Sequence, residues 1–283
     1  MSTSQSQSQS QSWSASFASS TVDAMCAYDA VVPFMFDPWA AALLDEVGVT
    51  SGEAVLDVAT GPGTVARQAA PRVGPSGRVT ACDISPAMLA VATAKPVLDG
   101  AAPIIYLQCP ADALDVSDGT FDVALCQQGL QFFPDRRGAL IEIRRALKPA
   151  GRVGVNVWCG IEHCRPFEAL SIALGAVLGV ETQRTYRSGP WGLGDAAELT
   201  RLFEEAGFTD VRVERRTLPI IFEGGPAQLV ATLPTAAVAP QVAALDDQGG
   251  ADLLAATTEA LAPLLHDGAV RSEMAAHVVR ATR

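Results

Sequence analysis

The sequence is short of the features that mark several large protein classes. It has three histidines, and its six cysteines (Cys26, Cys82, Cys109, Cys126, Cys159 and Cys164) form no CxxC pair. Cys159, His163 and Cys164 lie close together, but no further ligands follow at zinc spacing, so no metal site is expected. Scattered cysteines in apolar runs behave as small hydrophobes and suit a reducing compartment, so a cytoplasmic location is expected. No uninterrupted apolar run approaches the ~20 residues that cross a bilayer, and no membrane association is expected. The start has neither the basic residues nor the long apolar core of a signal peptide. Basic residues are outnumbered, 20 Lys and Arg against 31 Asp and Glu, for a net charge of −11. Such a chain repels phosphate backbones, so nucleic acid is not an expected partner. The sequence leaves monomer and homodimer open.

What is abundant is apolar: 49% of the 283 residues, enough for a sizeable core. Residues 1–20 are Ser/Gln-rich, can bury little and are expected to be disordered. Residues 21–283 are expected to form a single domain. A helix is expected from Val22 to about Val32, then one over Trp39 to Glu46 that ends near Gly48, with Asp37 as its cap and Pro38 at its first position. Short apolar strands at Glu53 to Val58, Gly77 to Cys82, Ile104 to Gln108, Phe121 to Cys126 and Arg152 to Trp158 alternate with helices at Thr64 to Ala70, Ser85 to Ala94 and Asp135 to Leu147. That alternation predicts an α/β fold with a doubly wound, mostly parallel sheet. The rhythm breaks after Trp158. The segment 159–195 reads as an insert with an apolar helix, Pro166 to Leu178, and an irregular stretch, Thr182 to Gly194. A helix at Asp195 to Ala206, a strand at Phe208 to Thr217, a helix at Asp252 to Leu261 and a last strand at Met274 to Ala281 follow.

Three acidic positions carry the chemistry. The first strand runs into Asp57-Val58-Ala59-Thr60-Gly61-Pro62-Gly63, where small residues at alternate positions permit a tight turn and close approach to a ligand. Asp57 could accept a hydrogen bond from a ligand ammonium. Asp83, about 20 residues beyond the glycine turn, stands where α/β nucleotide sites place a carboxylate against ribose hydroxyls. Asp112 follows the third strand and could accept from an exocyclic amine. A glycine turn of this kind alone is weak evidence, since dinucleotide folds use a similar one.

Taken in order, these segments resemble the class I S-adenosylmethionine (SAM)-dependent methyltransferases, in the branch of the ubiquinone and menaquinone C-methyltransferases. Asp57 to Gly63 is similar to the family's acidic glycine motif, with Ala59 where Gly is usual. Asp83-Ile84-Ser85-Pro86-Ala87-Met88-Leu89, Ala111-Asp112-Ala113, Phe121 to Gln128 and Leu147-Lys148-Pro149-Ala150-Gly151 resemble its further motifs. The resemblance spans roughly residues 25 to 158. It implies a Rossmann-like seven-stranded sheet with one antiparallel late strand, and SAM as cofactor with S-adenosylhomocysteine (SAH) as product. It implies that Asp57, Ala59, Thr60, Gly61 and Gly63 face the methionine end and that Asp83 binds the ribose. Ile84 and Met88 would pack on adenine, with Asp112 and Ala113 at its amine. Gln127 would offer its carbonyl to the ammonium, and Tyr28 would close over the methionine end.

The acceptor is expected between the N-terminal helix and the 159–195 insert, which would act as a lid. Phe34, Phe36, Phe132, Trp158, Tyr186 and Trp191 are the candidate apolar contacts, with Gln128 and Gln131 as polar ones, and together they suggest a mainly apolar small molecule, a secondary metabolite or a quinone-like acceptor. His163 is the candidate general base. Two other readings stay open: a SAM-binding cyclase that no longer transfers methyl, and an NAD(P)-dependent oxidoreductase. The second would normally carry Gly-x-Gly-x-x-Gly, which the Ala59/Gly61/Gly63 spacing does not match.

Overall fold

The structure, a computed structural model, describes residues 21–96 and 98–283. The expected disorder of residues 1–20 lies outside the described residues. Three helices lead in: α1 (Val22–Asp29), α2 (Val32–Met35) and α3 (Asp37–Val47). The expected first helix is thus broken in two, with Ala30 capping the first part. Asp37 is the first residue of α3 and not its cap, which is Phe36; Pro38 sits in the first turn, and Gly48 ends the helix at φ 67°.

The sheet then builds through β1 (Ala54–Val58), α4 (Thr64–Val73), β2 (Arg78–Asp83), α5 (Pro86–Ala94), β3 (Ile104–Gln108), β4 (Phe121–Gln127), α6 (Arg136–Ala146) and β5 (Leu147–Trp158). After β5 come α7 (Arg165–Leu178), α8 (Val180–Ser188), α9 (Ala196–Glu205) and β6 (Thr209–Phe222). The chain ends with α10 (Gly225–Val230), α11 (Ala239–Ala243), α12 (Asp247–Leu261), β7 (Leu265–His266) and β8 (Ala269–Thr282). The continuous sheet order is β3-β2-β1-β4-β5-β8-β6, the seven strands expected, and the two-residue β7 pairs with β8. β3 through β5 pair in parallel, and β8 runs antiparallel to both β5 and β6.

Strand parity decides which side each residue packs on. Val55, Val79, Ala81, Val123 and Leu125 join the cluster that includes α3, α4 and α7. Ala54, Leu56, Val58, Ala124, Cys126, Val153 and Val155 join the cluster under α6 and α9. Both faces of β1 are therefore covered, and its side chains are buried at every position. The strand order reverses between β1 and β4, so a crevice opens beyond their carboxyl ends.

Two stretches differ from expectation. Residues 180–188 are helical, not irregular, because Val180–Ser188 turns the buried Thr182 and Tyr186 inward, one turn apart. The late helix starts at Asp247 and is capped by Asp246, whose carboxylate accepts from the Gly249 amide at 2.8 Å; Asp252 lies inside it. α10 and α11 had no periodic signal, being six and five residues long.

Gly154 is where the sheet meets α3. A Cβ there would strike Val47 Cγ2 and come within 3.1 Å of Leu43 Cδ1. Gly154→Ala should therefore lower unfolding stability by about 1–3 kcal/mol in urea denaturation, the usual range for overpacking. An unchanged midpoint would mean that α3 yields freely.

Candidate functional site

The turn after β1 is held by two carboxylates. Three of its residues take left-handed backbone, Ala59 at φ 57°, Gly61 at φ 56° and Gly63 at φ 85°. Gly63 also caps α4. Asp57 lies beneath the turn, 1% exposed, and one oxygen, Oδ2, accepts from both Thr60 Oγ1 at 2.6 Å and the Ala66 amide at 2.9 Å. Its other oxygen is buried without a partner. Burial pushes the carboxyl up to about 7, although the hydrogen bonds from Thr60 and Ala66 pull the other way. Asp83, at the end of β2, accepts from the Gly61 amide through Oδ2 and from the Ser85 amide through Oδ1, each at 2.8 Å. Burial raises this carboxyl too. Ser85, and not Asp83, caps α5 by accepting from the Met88 amide at 3.2 Å.

The turn opens onto two cavities of about 120 and 270 Å³, and a third of about 110 Å³ adjoins the first; together they are within the span of small-molecule sites, roughly 300–1,000 Å³. The first is lined by Tyr28, Phe36, Ala59, Thr60, Gly61, Asp83, Ile84, Met88, Gln127, Gln128, Phe132 and neighbours. The second continues past Ala59, Asp83, Ile84 and Phe133 to Cys109, Ala111 and Asp112. Most of the expected cofactor residues are thus brought together. Asp57 and Gly63 are not on the lining; they build the turn from behind. Ala113 also lies off it, and Asp112 stands exposed at the rim. Gln127 lines the first cavity while its amide donates to the Phe36 carbonyl at 3.1 Å.

α1 covers this groove. Met25 packs against Ala87, Met88 and Val91 of α5, and Lys95 Nζ meets Asp29 Oδ1 at 2.7 Å. Tyr28 is packed 5.5 Å from the Phe36 ring, and burial, with Asp83 and Asp29 nearby, raises its phenol far above the ordinary range. Opposite, Ala59 faces Gly129: a Cβ on Gly129 would lie 2.7 Å from that of Ala59. Ala59 thus holds a strained conformation where glycine would be free, and its methyl fits because residue 129 has none.

The third cavity shares Tyr28, Phe36, Gln128 and Phe132 with the first and adds Gln131, Trp158, Phe167, Tyr186 and Trp191. An aromatic chain forms its wall, Phe36–Trp158 at 6.2 Å, Trp158–Trp191 at 6.3 Å and Phe167–Trp191 at 5.5 Å. Of the expected acceptor contacts, Phe34 is not part of it; its ring packs edge-on to Phe222 at 5.5 Å. His163 is not brought to it either. Its side chain is 43% exposed and its nearest charged neighbour is Glu162 at 3.8 Å. It sits in a short 3-10 turn ahead of α7, and its neighbours Ile161 and Cys164 take the buried positions. The sequence reading missed Val31 and Met35 from α2's approach, Phe167 and Pro190, and Thr232, Ala236 and Ala237 from the late segment. Only Phe167 carried an aromatic signal; small residues far along the chain carried none.

The comparisons agree with this architecture. A putative methyltransferase of Bacillus halodurans superposes with a TM-score of 0.57 at 22% identity, covering 86% of this chain and 97% of that one. The [4+2]-cyclase SpnF superposes at 0.54 and 19% identity, over 87% and 81%. The fold is that of the Rossmann-like methyltransferases. The sequence narrows the class: the ubiE/COQ5 methyltransferase family matches residues 11–223, and the chain belongs to that family. A demethylmenaquinone methyltransferase of Lactococcus lactis is 32% identical over 202 residues, 66% of this chain and 78% of that protein. The protein is a SAM-dependent methyltransferase. The site residues fit that cofactor: a positive-φ turn lets backbone approach closely, and a buried carboxylate stands where the first two cavities join.

Asp57 predicts a pH effect on folding. Its folded pKa is raised above the unfolded value, so its contribution is fully present below about 4 and is lost as pH rises through about 7. Asp57→Asn should remove that slope and gain relative to the parent by up to roughly 4 kcal/mol above pH 7, at about 1.36 kcal/mol per pKa unit. Denaturation at pH 4, 6 and 8 measures it; a parallel offset at all three would show that Asp57 does not titrate in this window.

Proposed function

We propose that this enzyme transfers the methyl group of SAM to a carbon of a mainly apolar, electron-rich small molecule seated in the third cavity. One observation carries this reading: that cavity adjoins the cofactor groove through Tyr28, Phe36, Gln128 and Phe132. Bound SAM supplies an activated methyl group; the chain's task is to align the acceptor and exclude water. Among the described residues, the only titratable ones lining the third cavity are Tyr28 and Tyr186, and burial raises both phenols. Neither is a base near neutral pH, so the acceptor must bring its own nucleophilic carbon, as an enol or a hydroxylated ring does. A quinol-type acceptor, in keeping with the relative's name, meets that need; a hydroxylated secondary metabolite meets it equally. In the groove, Asp83 would hold the ribose hydroxyls, with Ile84 and Met88 beside adenine. α7, α8 and the turn to Trp191 would cover the acceptor as a lid within one domain. The charge of −11 favours a small molecule over nucleic acid. No described helix is long and apolar enough to cross a membrane; with its six free cysteines, the chain suits the cytoplasm.

Calorimetry should show SAM and SAH binding and no NADH binding. Asp83→Ala should weaken SAH by about 1–3 kcal/mol, as for a lost charge-assisted hydrogen bond. Turnover should release one SAH per product, whereas a cyclase would form product without it. His163→Ala should keep turnover within a few-fold, since a lost general base typically costs 10²-fold or more. A drop of that size would restore His163 as the base.

A further inference from the structure

Three buried polar atoms without partners belong to residues that line the third cavity, and their chemical identities are fixed by their neighbours. Gln128 Oε1 accepts from the Trp158 amide at 3.0 Å, and a backbone N–H can only donate, so this atom is the oxygen. The Gln131 side chain also meets it at 2.9 Å and must do so through its nitrogen. The remaining atoms follow: Gln128 Nε2 is a free donor and Gln131 Oε1 a free acceptor. Trp191 Nε1 is a second free donor. The three residues are only 8%, 3% and 7% exposed. Gln131 is held further by Arg136, whose Nη2 donates to its backbone carbonyl at 3.0 Å. Gln128 is pinned in left-handed backbone at φ 54°.

A buried donor or acceptor left unpaired costs stability, so each such group calls for a partner, whether protein, water or ligand. We propose that Gln128, Gln131 and Trp191 form a polar subsite that selects, among hydroxylated acceptors, those bearing both a carbonyl and a hydroxyl group, and so prefers a hydroxy ketone to a quinol. The carbonyl oxygen takes hydrogen bonds from Gln128 Nε2 and Trp191 Nε1. The hydroxyl donates to Gln131 Oε1. The aromatic wall takes the apolar body of the molecule, while the three polar atoms decide which way round it lies. This assignment rests on reading the third cavity as the acceptor site. It adds a discrimination that apolar packing cannot supply, because a site built to pair a hydroxyl rejects the analogue that lacks it.

The test uses the full chain loaded with SAH and three naphthalene probes in calorimetry: 6-hydroxy-2-acetylnaphthalene, its methyl ether, and 2-naphthol. The hydroxy ketone should bind about tenfold tighter than either of the others. Gln131→Met removes the free acceptor and should abolish the preference over the methyl ether. Trp191→Phe keeps the ring wall, removes the N–H, and should weaken both ketones by several-fold while leaving 2-naphthol unchanged. SAH affinity and melting temperature report whether each variant is folded; if one is not, the three probes on the parent chain decide alone. Equal affinity for all three probes, or no binding of the hydroxy ketone by SAH-loaded protein, overturns the subsite and means that water satisfies these atoms. A chain that fails to bind SAH would instead overturn the reading of the cavities themselves.

Discussion

The site depends on two carboxylates buried at the ends of adjacent strands. Asp57 and Asp83 sit on β1 and β2, and both bond to the turn between β1 and α4. A turn with three residues at positive φ is not a conformation the chain chooses unaided. The sheet supplies the platform, and the carboxylates tie the turn to it. Desolvation raises both groups, so the turn is held by charges or near-charges kept where they are uncomfortable. That cost is tolerable because each accepts two hydrogen bonds. The crevice at the β1/β4 switch point is the shape left once this turn is fixed.

The acceptor side is built differently. Its walls come from the N-terminal helices, the turn after β4, the helices that follow β5 and the late segment, joined by ring contacts among Phe36, Trp39, Trp158, Phe167 and Trp191. Trp158 is the last residue of β5, so the aromatic chain is rooted in the sheet. His277 Nε2 and the Gly194 carbonyl lie 2.9 Å apart, which ties the end of the 159–195 segment to β8. Gly194 is required there, since a Cβ would come within 2.7 Å of the Gly160 amide. Gly192 is confined as well, with the Ser188 carbonyl 3.0 Å from a Cβ there.

Most of the sheet was legible because each strand is a short apolar run ending in turn residues, and parity along it needs no tertiary knowledge. The positions of Asp83, Ile84, Met88 and Asp112 along the cavities were legible for the same reason: they end or follow strands that finish at one edge. The orientation of Asp57 was not, since an acidic residue before a glycine turn looks the same whether it faces a ligand or the turn's own amides. Nor was the position of His163. Two residues decide whether a side chain in a 3-10 turn points inward, and Ile161 and Cys164 took those places. Thr232, Ala236 and Ala237 reach the cavity only through the packing of the late helices, which leaves no local pattern.

The contact between Ala59 and Gly129 couples two positions seventy residues apart. While 59 carries a methyl, 129 is closed to every other residue; if 59 became glycine, the obstruction on that side of 129 would disappear, although Cys126 Sγ, 2.9 Å from a Cβ there, would still limit it. The two positions are therefore constrained together: 129 has no room for a side chain on that side until 59 has lost its methyl.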